Sequence, residues 1–524
     1  MDKTINEAIK NNTNKKYEWI INAILSVSII LCVGIVFYIN IYKYNSYMNS
    51  DIGTEALLGR EISITKQWIP VNWVKSSETR ILSMPHIAAI LYGLNKDMVL
   101  SAGIACCIVT LLITASVIFF VKSYDFSLSQ KLAIILLCFV LPANEAMYEL
   151  VYIRACYYFL CVIALFITLG MLARIYNRNT KKGIKFIFIL IVTYSVSFVL
   201  GLQGMRGILN VYGPLVALVL AICLIRLRKM TKVDKLFVIH IICLFMVSFL
   251  GSLFPISVGQ SFSRNIRKGV EKLITVVWDD FCIAIGLKSE YAPFRVCIII
   301  MFALSIISLG LVVIKILKNR NEVNIVDWTY LVLWLSPVMT AVFLAFTTIE
   351  SADRYFNIFA YTMALAPIYI IKSINKNAVE YAMYALVLIV SIFSLLNFFK
   401  PQLCGPSVSI ASDEEAMLEY LETKGIHRGY TNFDYANRLT VIYNGAVNLA
   451  PIDNMQKMNM LKWDSCKNWY PPNVSEEEAT AYIATRDVDA LETFVSDKEE
   501  NILDKTVIGR FTIYILDKNY AVLE

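Results

Sequence analysis

The sequence has no CxxC pair, no internal repeat, no low-complexity run and almost no ionisable side chain near the middle of its apolar stretches. Each absence narrows the function. Without thiolates at CxxC spacing, a structural zinc site lacks its ligand frame. Transporters place ionisable or helix-breaking features near mid-membrane, commonly in repeated halves, and neither is evident here. Charged residues are scarce at 17% of 524, against 57% hydrophobic and a mean hydropathy of +0.60. That balance excludes an ordinary soluble enzyme.

What is present is a series of long apolar runs. A helix of about 20 apolar residues crosses a bilayer, and eleven spans are expected, at 19–42, 98–121, 131–147, 151–173, 185–202, 211–227, 235–254, 294–316, 328–348, 356–372 and 378–398. The third is interrupted by Pro142 and Glu145. The first, Trp19 to Tyr42, is too long for a signal-peptide core and has no small-residue cleavage site, so it is read as retained. Most of the cysteines lie in or beside these spans, where they act as small hydrophobes. Cys404 and Cys466 fall in the tail, and a bridge between them requires the tail to be outside the cytosol.

Lys and Arg in short loops mark the cytoplasmic side. Lys10, Lys15 and Lys16 precede the first span, and basic clusters fill the fourth, sixth, eighth and tenth connections. All fall on one side if the N-terminus is inside, and an odd span count then puts the tail outside. The charge balance agrees. After Phe399 there are 12 Lys and Arg against 20 Asp and Glu, whereas the remainder carries 36 against 21. Three regions follow: a cytoplasmic segment over 1–18, a transmembrane domain over 19–399 and an extracellular α/β domain over 400–524. Within the tail, Asp413 to Lys424 reads as a helix with Ser412 as N-cap and Gly425 ending it. Leu439 to Tyr443 followed by Asn444-Gly445 reads as strand and turn, and Phe511 to Leu516 as a late strand.

Two outer connections are long. In residues 43–97, Asp51 follows the first span by about ten residues, and Ile81 to Leu94 forms a semi-apolar stretch suited to the membrane face. In residues 255–293, Arg264, Arg267, Lys268, Glu271 and Lys272 fit an amphipathic helix. The remaining ionisable residues gather at outer span ends: Glu145, Glu149 and Arg154, then Arg206, then Asp353-Arg354-Tyr355. With Asp51, Glu78 and Arg80 they form a candidate outward-facing site. Taken singly, each is as well explained as an interfacial residue. Taken together, arginines at outer junctions oppose the positive-inside bias, and an anionic ligand would account for them. His240 in the seventh span reads as a packed, hydrogen-bonded residue, and Tyr152, Tyr157, Tyr158 and Trp328 as interface anchors.

Asn49-Ser50-Asp51 with Glu55, Asn72-Trp73, Ser77-Glu78-Thr79-Arg80, Gly204-Met205-Arg206-Gly207, Asp353-Arg354-Tyr355-Phe356, Gly429 to Phe433 and Trp469-Tyr470 together give the chain a resemblance. In their order and topology they resemble GT-C type glycosyltransferases. That group includes protein O-mannosyltransferases, aminoarabinose transferases and oligosaccharyltransferase catalytic subunits. The chain looks most like bacterial polytopic members with an extracellular C-terminal domain. The resemblance implies an all-α polytopic membrane protein with a GT-C-like fold and about eleven transmembrane helices, plus a small extracellular α/β domain, in the cell membrane. It implies a hexosyl or pentosyl transfer from a polyprenyl-phosphate sugar lipid to an envelope glycan, lipid or protein acceptor, with inversion. Nucleic acid has no part in it. Asp51 would take the acceptor proton and Glu78 would be a second carboxylate. Arg354, Arg206 and Arg154 would hold the donor phosphate, and Glu55, Arg80, Glu145, Glu149, Asp353 and Tyr355 would position the acceptor. Some relatives use a divalent metal such as Mg2+ or Mn2+ and others do not. No ligand set is legible here, so the metal stays unassigned. The chain departs from the pattern in lacking a tandem Asp-Glu, because Ile52 follows Asp51, and in lacking Trp-Trp-Asp. A flippase of lipid-linked glycans and a non-catalytic envelope scaffold are the alternative readings.

Overall fold

The computed structural model describes residues 2–75, 79–142, 145–154, 156–177, 183–226, 232–254, 268–318, 322–405, 410–472, 474 and 478–523. The chain divides into two compact units. A helical unit comprises Met1–Phe37, Thr110–Val151 and Tyr158–Cys404, and a mixed unit comprises Tyr38–Val109, Tyr152–Tyr157 and Gly405–Glu524. The sequence places a boundary at 399/400. In the fold, the first long loop joins the tail in one unit, for reasons visible in their mutual packing.

Among the described residues, ten helices are long and apolar enough to cross a membrane. Ten of the eleven expected spans have a counterpart among them. The expected third span is instead the helix Leu128–Val140, 13 residues or roughly 20 Å of rise, against about 30 Å of hydrocarbon. Ser127 and Gln130 form its capping box, and Ala133 through Val140 are all buried. It is shorter than the ten and packs closely within its unit. The expected fourth span starts later than Val151, at Phe159. Between the two, Arg154 and Cys156 have positive φ, at 54° and 49°, which breaks the helix.

The helical unit is closely packed where small residues allow it. A Cβ on Gly201 would sit 1.9 Å from the Ser248 carbonyl oxygen, so only glycine lets those two helices approach. Tyr194 Oη and His240 Nδ1 are 2.9 Å apart, the satisfied pair expected of a packed histidine. Of the second long loop, Arg264 and Arg267 lie outside the described residues. Lys268 precedes a continuous helical run, Gly269–Lys272, Leu273–Val277 and Trp278–Ala284. Lys272 Nζ donates to the carbonyls of Leu344 and Thr347, at 2.7 and 3.0 Å, and to Ile349. It thereby caps the Ile325–Ala345 helix, where a cation meets the negative end of the dipole. Tyr152, Tyr158 and Trp328 are buried, so they serve as packing residues rather than interface anchors.

In the mixed unit the strands are β1 (Trp73–Val74), β2 (Arg428–Thr431), β3 (Asn448–Asn454), β4 (Asn459–Met460), β5 (Ser465–Cys466), β6 (Thr480–Ala484), β7 (Ile502–Ile508) and β8 (Phe511–Leu516). Six form a mixed sheet in the order β4-β3-β2-β6-β8-β7. β2 is parallel to β3 and β6, and the remaining pairs are antiparallel. Successive side chains point to opposite faces. One face packs Tyr430, Ile452, Tyr482, Tyr514 and Leu516 with Leu491 and Phe494 of the Val488–Val495 helix. The other packs Leu449, Ile483, Ile513 and Ile515 with Leu418 and Leu421 of the Ser412–Thr423 helix and Leu439 of the Phe433–Ile442 helix. With both faces covered, β6 and β8 are buried along their whole length, as central strands of such layers must be.

The strand expected at Leu439 to Tyr443 is wrong. Those residues end the Phe433–Ile442 helix, which buries Ala436, Leu439 and Thr440 at helical spacing. Asn444 and Gly445, at φ 49° and 79°, are its left-handed cap. Gly445 N–H donates to Thr440 O at 2.8 Å, the six-to-one bond of a Schellman motif. The Ser412–Thr423 helix agrees with expectation to within a residue, with Ala411 as N-cap in place of Ser412. Gly425 stands just beyond its end at φ 71°, and the late strand is β8.

The first loop supplies two helices, Ser50–Thr65 and Met84–Asn95. The second contains most of the stretch read as semi-apolar. Pro85 lies in its first turn, and it buries Met84, Pro85, His86, Ala88 and Ala89. Ser50–Thr65 packs on it at one side and on Phe433–Ile442 at the other. A Cβ on Gly53 would meet the Asn437 carbonyl at 2.8 Å, so the two backbones touch there. β1 pairs antiparallel with β5, Trp73 opposite Cys466. Cys404 and Cys466 are both free thiols.

Candidate active site

Asp51 lies in the first turn of Ser50–Thr65, whose N-cap Asn49 accepts from Ile52 N–H at 2.9 Å. A carboxylate is stabilised there by the helix dipole, and Asp51 is exposed. Glu55 follows four residues later, on the same face, but is only 3% exposed. Its Oε1 accepts from Arg80 Nε at 2.8 Å, while Oε2 is buried with no hydrogen-bond partner among the described residues. Burial pushes the Glu55 carboxyl up to about 7. The Arg80 guanidinium opposes that rise, and Asp464 and Asp51 add to it.

Tyr157 completes the group. Its hydroxyl donates to the Asp51 carbonyl at 3.0 Å, and the Arg80 guanidinium lies 4.9 Å from its ring centroid. Desolvation, then the charges of Glu55 and Asp51, hold the phenol well above its usual range, against the pull of Arg80. It is therefore a proton-bearing donor at any physiological pH. Asn437 Nδ2 donates to Thr54 Oγ1 at 2.7 Å and to the Asp464 carbonyl at 3.2 Å, which fixes Asp464 beside the helix that carries Glu55. A cavity of about 20 Å³, room for one water-sized group, lies among Thr54, Glu55, Leu58, Ile62, Trp68, Ile69, Pro70, Trp73, Lys75, Thr79, Arg80 and Asp464. His86 braces its wall. Its Nε2 lies 3.1 Å from the Trp68 carbonyl and its Nδ1 3.1 Å from Ser83 Oγ. Burial lowers its pKa to about 4, so the ring is neutral.

Arg154 belongs to the same unit and is fully enclosed. Its N–H donates to Asn40 Oδ1 at 3.1 Å and its Nη2 to Ser46 Oγ at 3.1 Å. Its carbonyl accepts from Tyr44 Oη at 2.6 Å. Glu78 lies outside the described residues.

The helical unit holds a separate group. The Arg206 guanidinium stacks 4.7 Å from the Tyr158 ring centroid and 5.1 Å from that of Tyr355, and it donates to the Tyr158 hydroxyl. Arg354 lies 5.8 Å from the centroid of Tyr355, with its N–H on Asp353 Oδ1 at 2.7 Å. Two guanidinium groups thus share one tyrosine ring. The same short turn, Asp353–Phe356, turns Phe356 into an apolar cavity of about 490 Å³ walled by Trp278, Phe281, Phe302, Trp334 and Phe359 among others. Glu149 is half-buried on the Glu145–Val151 helix of this unit, while the Glu145 side chain is outside the described residues.

Of the residues expected from sequence, the fold brings together Asp51, Glu55 and Arg80 in one unit, and Arg206, Asp353, Arg354 and Tyr355 in the other. Asp464, Tyr157, Asn437 and Lys75 were missed. Asp464 and Asn437 reach the site only through tertiary packing, and the sole signal for Tyr157 was its place beside Arg154 at an outer span end. Among the described residues, no group of three or more His, Cys, Asp or Glu is arranged to hold a metal.

No protein-family model matches the chain, and no curated protein matches it in sequence. Solved structures do match its architecture. ArnT from Cupriavidus metallidurans, solved in the apo state, aligns with a TM-score of 0.58 at 10% identity, covering 94% of this chain and 97% of that one. The oligosaccharyltransferase of Archaeoglobus fulgidus, in its apo form, aligns with a TM-score of 0.50 at 9% identity, covering 95% and 75%. Both have the GT-C fold. With ten long apolar helices among its described residues, this chain is a multi-pass membrane protein of that fold, as the sequence resemblance implied.

Proposed function

We propose that the chain is a membrane glycosyltransferase that moves a hexosyl or pentosyl group from a polyprenyl-phosphate donor to a hydroxyl of an envelope acceptor, on the outer face and with inversion. The observation that carries this reading is the carboxylate group at one helix start: Asp51 exposed in the first turn, Glu55 enclosed behind it, with Arg80 and Tyr157 in direct contact. The GT-C fold supports it.

Asp51 is the general base. The acceptor oxygen attacks the anomeric carbon and gives its proton to the Asp51 carboxylate, while the bond to the carrier phosphate breaks. A base must be within hydrogen-bond reach of that hydroxyl, and Asp51 is the accessible carboxylate of the group. Glu55 and Arg80 orient the acceptor, with Glu78 as a second acidic contributor. Arg206 and Arg354 neutralise the departing phosphate, and forked guanidinium groups suit its oxygens. The neighbouring apolar cavity suits the isoprenoid chain. Arg154 was grouped with these arginines in the sequence. Because it is enclosed, we assign it instead to fixing the Tyr152–Tyr157 segment that presents Tyr157. Asp353 sets the turn that carries Arg354. Glu145 and Glu149 retain the acceptor-positioning assignment.

The test is a lipid-release assay in which purified protein meets a panel of polyprenyl-phosphate sugars and crude envelope acceptor. Wild type should release free carrier phosphate and Asp51→Asn should not. Absence of release from every donor, with lipid still bound, would favour a flippase or scaffold.

A further inference from the structure

A second polar cleft in the mixed unit has no role in the chemistry above. It has a volume of about 240 Å³ and is lined by Arg60, Glu61, Arg428, Asn448, Asn468 and Trp469, together with Thr440 and two further residues of β3. Glu61 lies on the same helix as Glu55, six residues or roughly 9 Å further along the axis. The β1–β5 pair links the two places. Trp73 lines the cavity at Glu55 and Trp469 lines the second cleft, and their rings meet edge to face at 5.9 Å and 87°.

The charged groups of this cleft have partners close by. Arg428 Nε pairs with Glu478 Oε2 at 3.2 Å. Arg60 Nη1 donates to Asn448 Oδ1 at 2.8 Å, and Glu61 Oε2 accepts from Cys466 Sγ at 3.7 Å; burial raises the Glu61 carboxyl, with the charge of Arg60 opposing. Among the described residues each guanidinium already has an acceptor, Asn448 Oδ1 or Glu478 Oε2. What remains is an alternation of amide and guanidinium donors with carboxyl and amide acceptors, beside one large aromatic ring. A sugar ring presents the matching surface, with hydroxyls at its edge and C–H groups on its face, and a tryptophan that is apolar in body suits the latter. The aromatic is held in place. The Trp469 carbonyl accepts from the Tyr430 hydroxyl at 2.8 Å, and Trp469 ends the short turn that follows β5.

We propose that this cleft binds a neutral sugar residue, and that this residue belongs to the acceptor, one unit or more away from the hydroxyl that is glycosylated. The assignment to the acceptor rests on the glycosyltransferase reading, whereas the binding of a neutral sugar does not. The enzyme would then prefer glycan acceptors, with the remote ring supplying binding energy that orients the reacting one.

The experiment separates the two claims. Full-length protein in lipid nanodiscs, with no donor present, is examined by saturation-transfer NMR against a neutral hexose, an N-acetylhexosamine and their disaccharides, with a hexuronate and inorganic phosphate as charged counterparts. Neutral saccharides should receive saturation at their ring C–H protons. Trp469→Ala and Arg60→Gln should each weaken binding at least tenfold, Trp469→Phe should restore most of it, and Asp51→Asn should leave it intact. No binding of any neutral saccharide, binding indifferent to both substitutions, or stronger binding of phosphate or hexuronate would overturn the proposal. In the lipid-release assay, Trp469→Ala should raise the acceptor KM by more than it lowers kcat. If wild type releases no carrier from any donor but Trp469-dependent sugar binding persists, the glycosyltransferase reading fails, the acceptor assignment fails with it, and the sugar site stands.

Discussion

The candidate polar groups of the two units differ in the charge that dominates them. The mixed unit gathers carboxylates, with Asp51 at the surface and Glu55 enclosed behind it, and answers them with Arg80. The helical unit gathers guanidinium groups, with Arg206 and Arg354 sharing the ring of Tyr355, and places an apolar cavity beside them. Two like charges near one another are unfavourable in isolation. Aromatic faces stabilise them in part, and the phosphate of the proposed donor would add to that. The first arrangement suits proton removal and the second suits a phosphate attached to a lipid. Under the proposed function, the carboxylate group would serve the nucleophile and the guanidinium group the leaving phosphate.

The comparison breaks most sharply at the carboxylates. Asp51→Asn should lower the transfer rate by about 10²–10⁴, in kcat and kcat/KM alike, because the amide cannot take the proton. Asp51 is exposed, so the thermal midpoint should move little. A full rate in Asp51→Asn would dismiss it as the base. Arg354→Ala and Arg206→Ala should each slow release by about 10²–10³, the usual loss when one preorganised donor to a developing anion is removed. Arg206→Lys should recover little, since lysine supplies charge but neither the fork nor the planar stack on Tyr158 and Tyr355. If lysine restores the rate, point charge suffices and the stacking is structural.

Glu55 offers a smaller effect with a definite sign. Its folded-state pKa of about 7 stands above the ordinary value of 4.5, chiefly through burial. The folded protein therefore binds the proton more tightly than the unfolded chain. Stability from this group is full below about pH 4.5, falls as pH rises toward 7, and is level above that. The change is on the order of 1–3 kcal/mol. Wild type should lose thermal stability across that window relative to Glu55→Gln, whose amide does not titrate. Parallel profiles for the two proteins would mean that Glu55 is ionised throughout, held by Arg80.

The two units also differ in how far the sequence discloses them. Apolar runs revealed nearly all of the helical unit, because a membrane helix carries its burial in its own composition. The exception, Leu128–Val140, is shorter than its apolar run suggested. Asp51, Glu55 and Arg80 were legible because they fall in one loop and two of them share a helix face. Asp464 and Asn437 were not, since more than 380 residues separate them from Glu55 and Thr54 and only the packing of the Phe433–Ile442 helix on Ser50–Thr65 brings them in. The boundary at 399/400 followed hydropathy. Hydropathy has no term for a loop that docks on the tail through a glycine-wide contact at Gly53.

The smallest effect tests the one element whose type was misread. Leu439-Thr440-Val441-Ile442-Tyr443 is β-prone by composition, and Asn-Gly is a strong hairpin signal, yet the segment closes a helix. Burial decides the matter. Leu439 packs under the sheet and Thr440 Oγ1 accepts from Leu449 N–H at 2.8 Å, contacts that a strand in the same place would lose. Gly445 then has to adopt φ 79°, which an L-residue adopts only at a penalty. Gly445→Ala should destabilise the mixed unit by about 1 kcal/mol. A Cβ there would come nearest the flexible Arg60 guanidinium, at 3.2 Å, with Met98 Cε at an ordinary 3.6 Å, so backbone strain accounts for most of the loss. Gly445→Asn should be milder than Gly445→Ala, because asparagine tolerates the left-handed region. The same order would not follow if Asn444-Gly445 were a hairpin turn of the two-residue kind, where the residue pair also sets strand register. Equal destabilisation by both substitutions, or none by either, would put the helix cap in question and with it the position of Asn437 beside Asp464.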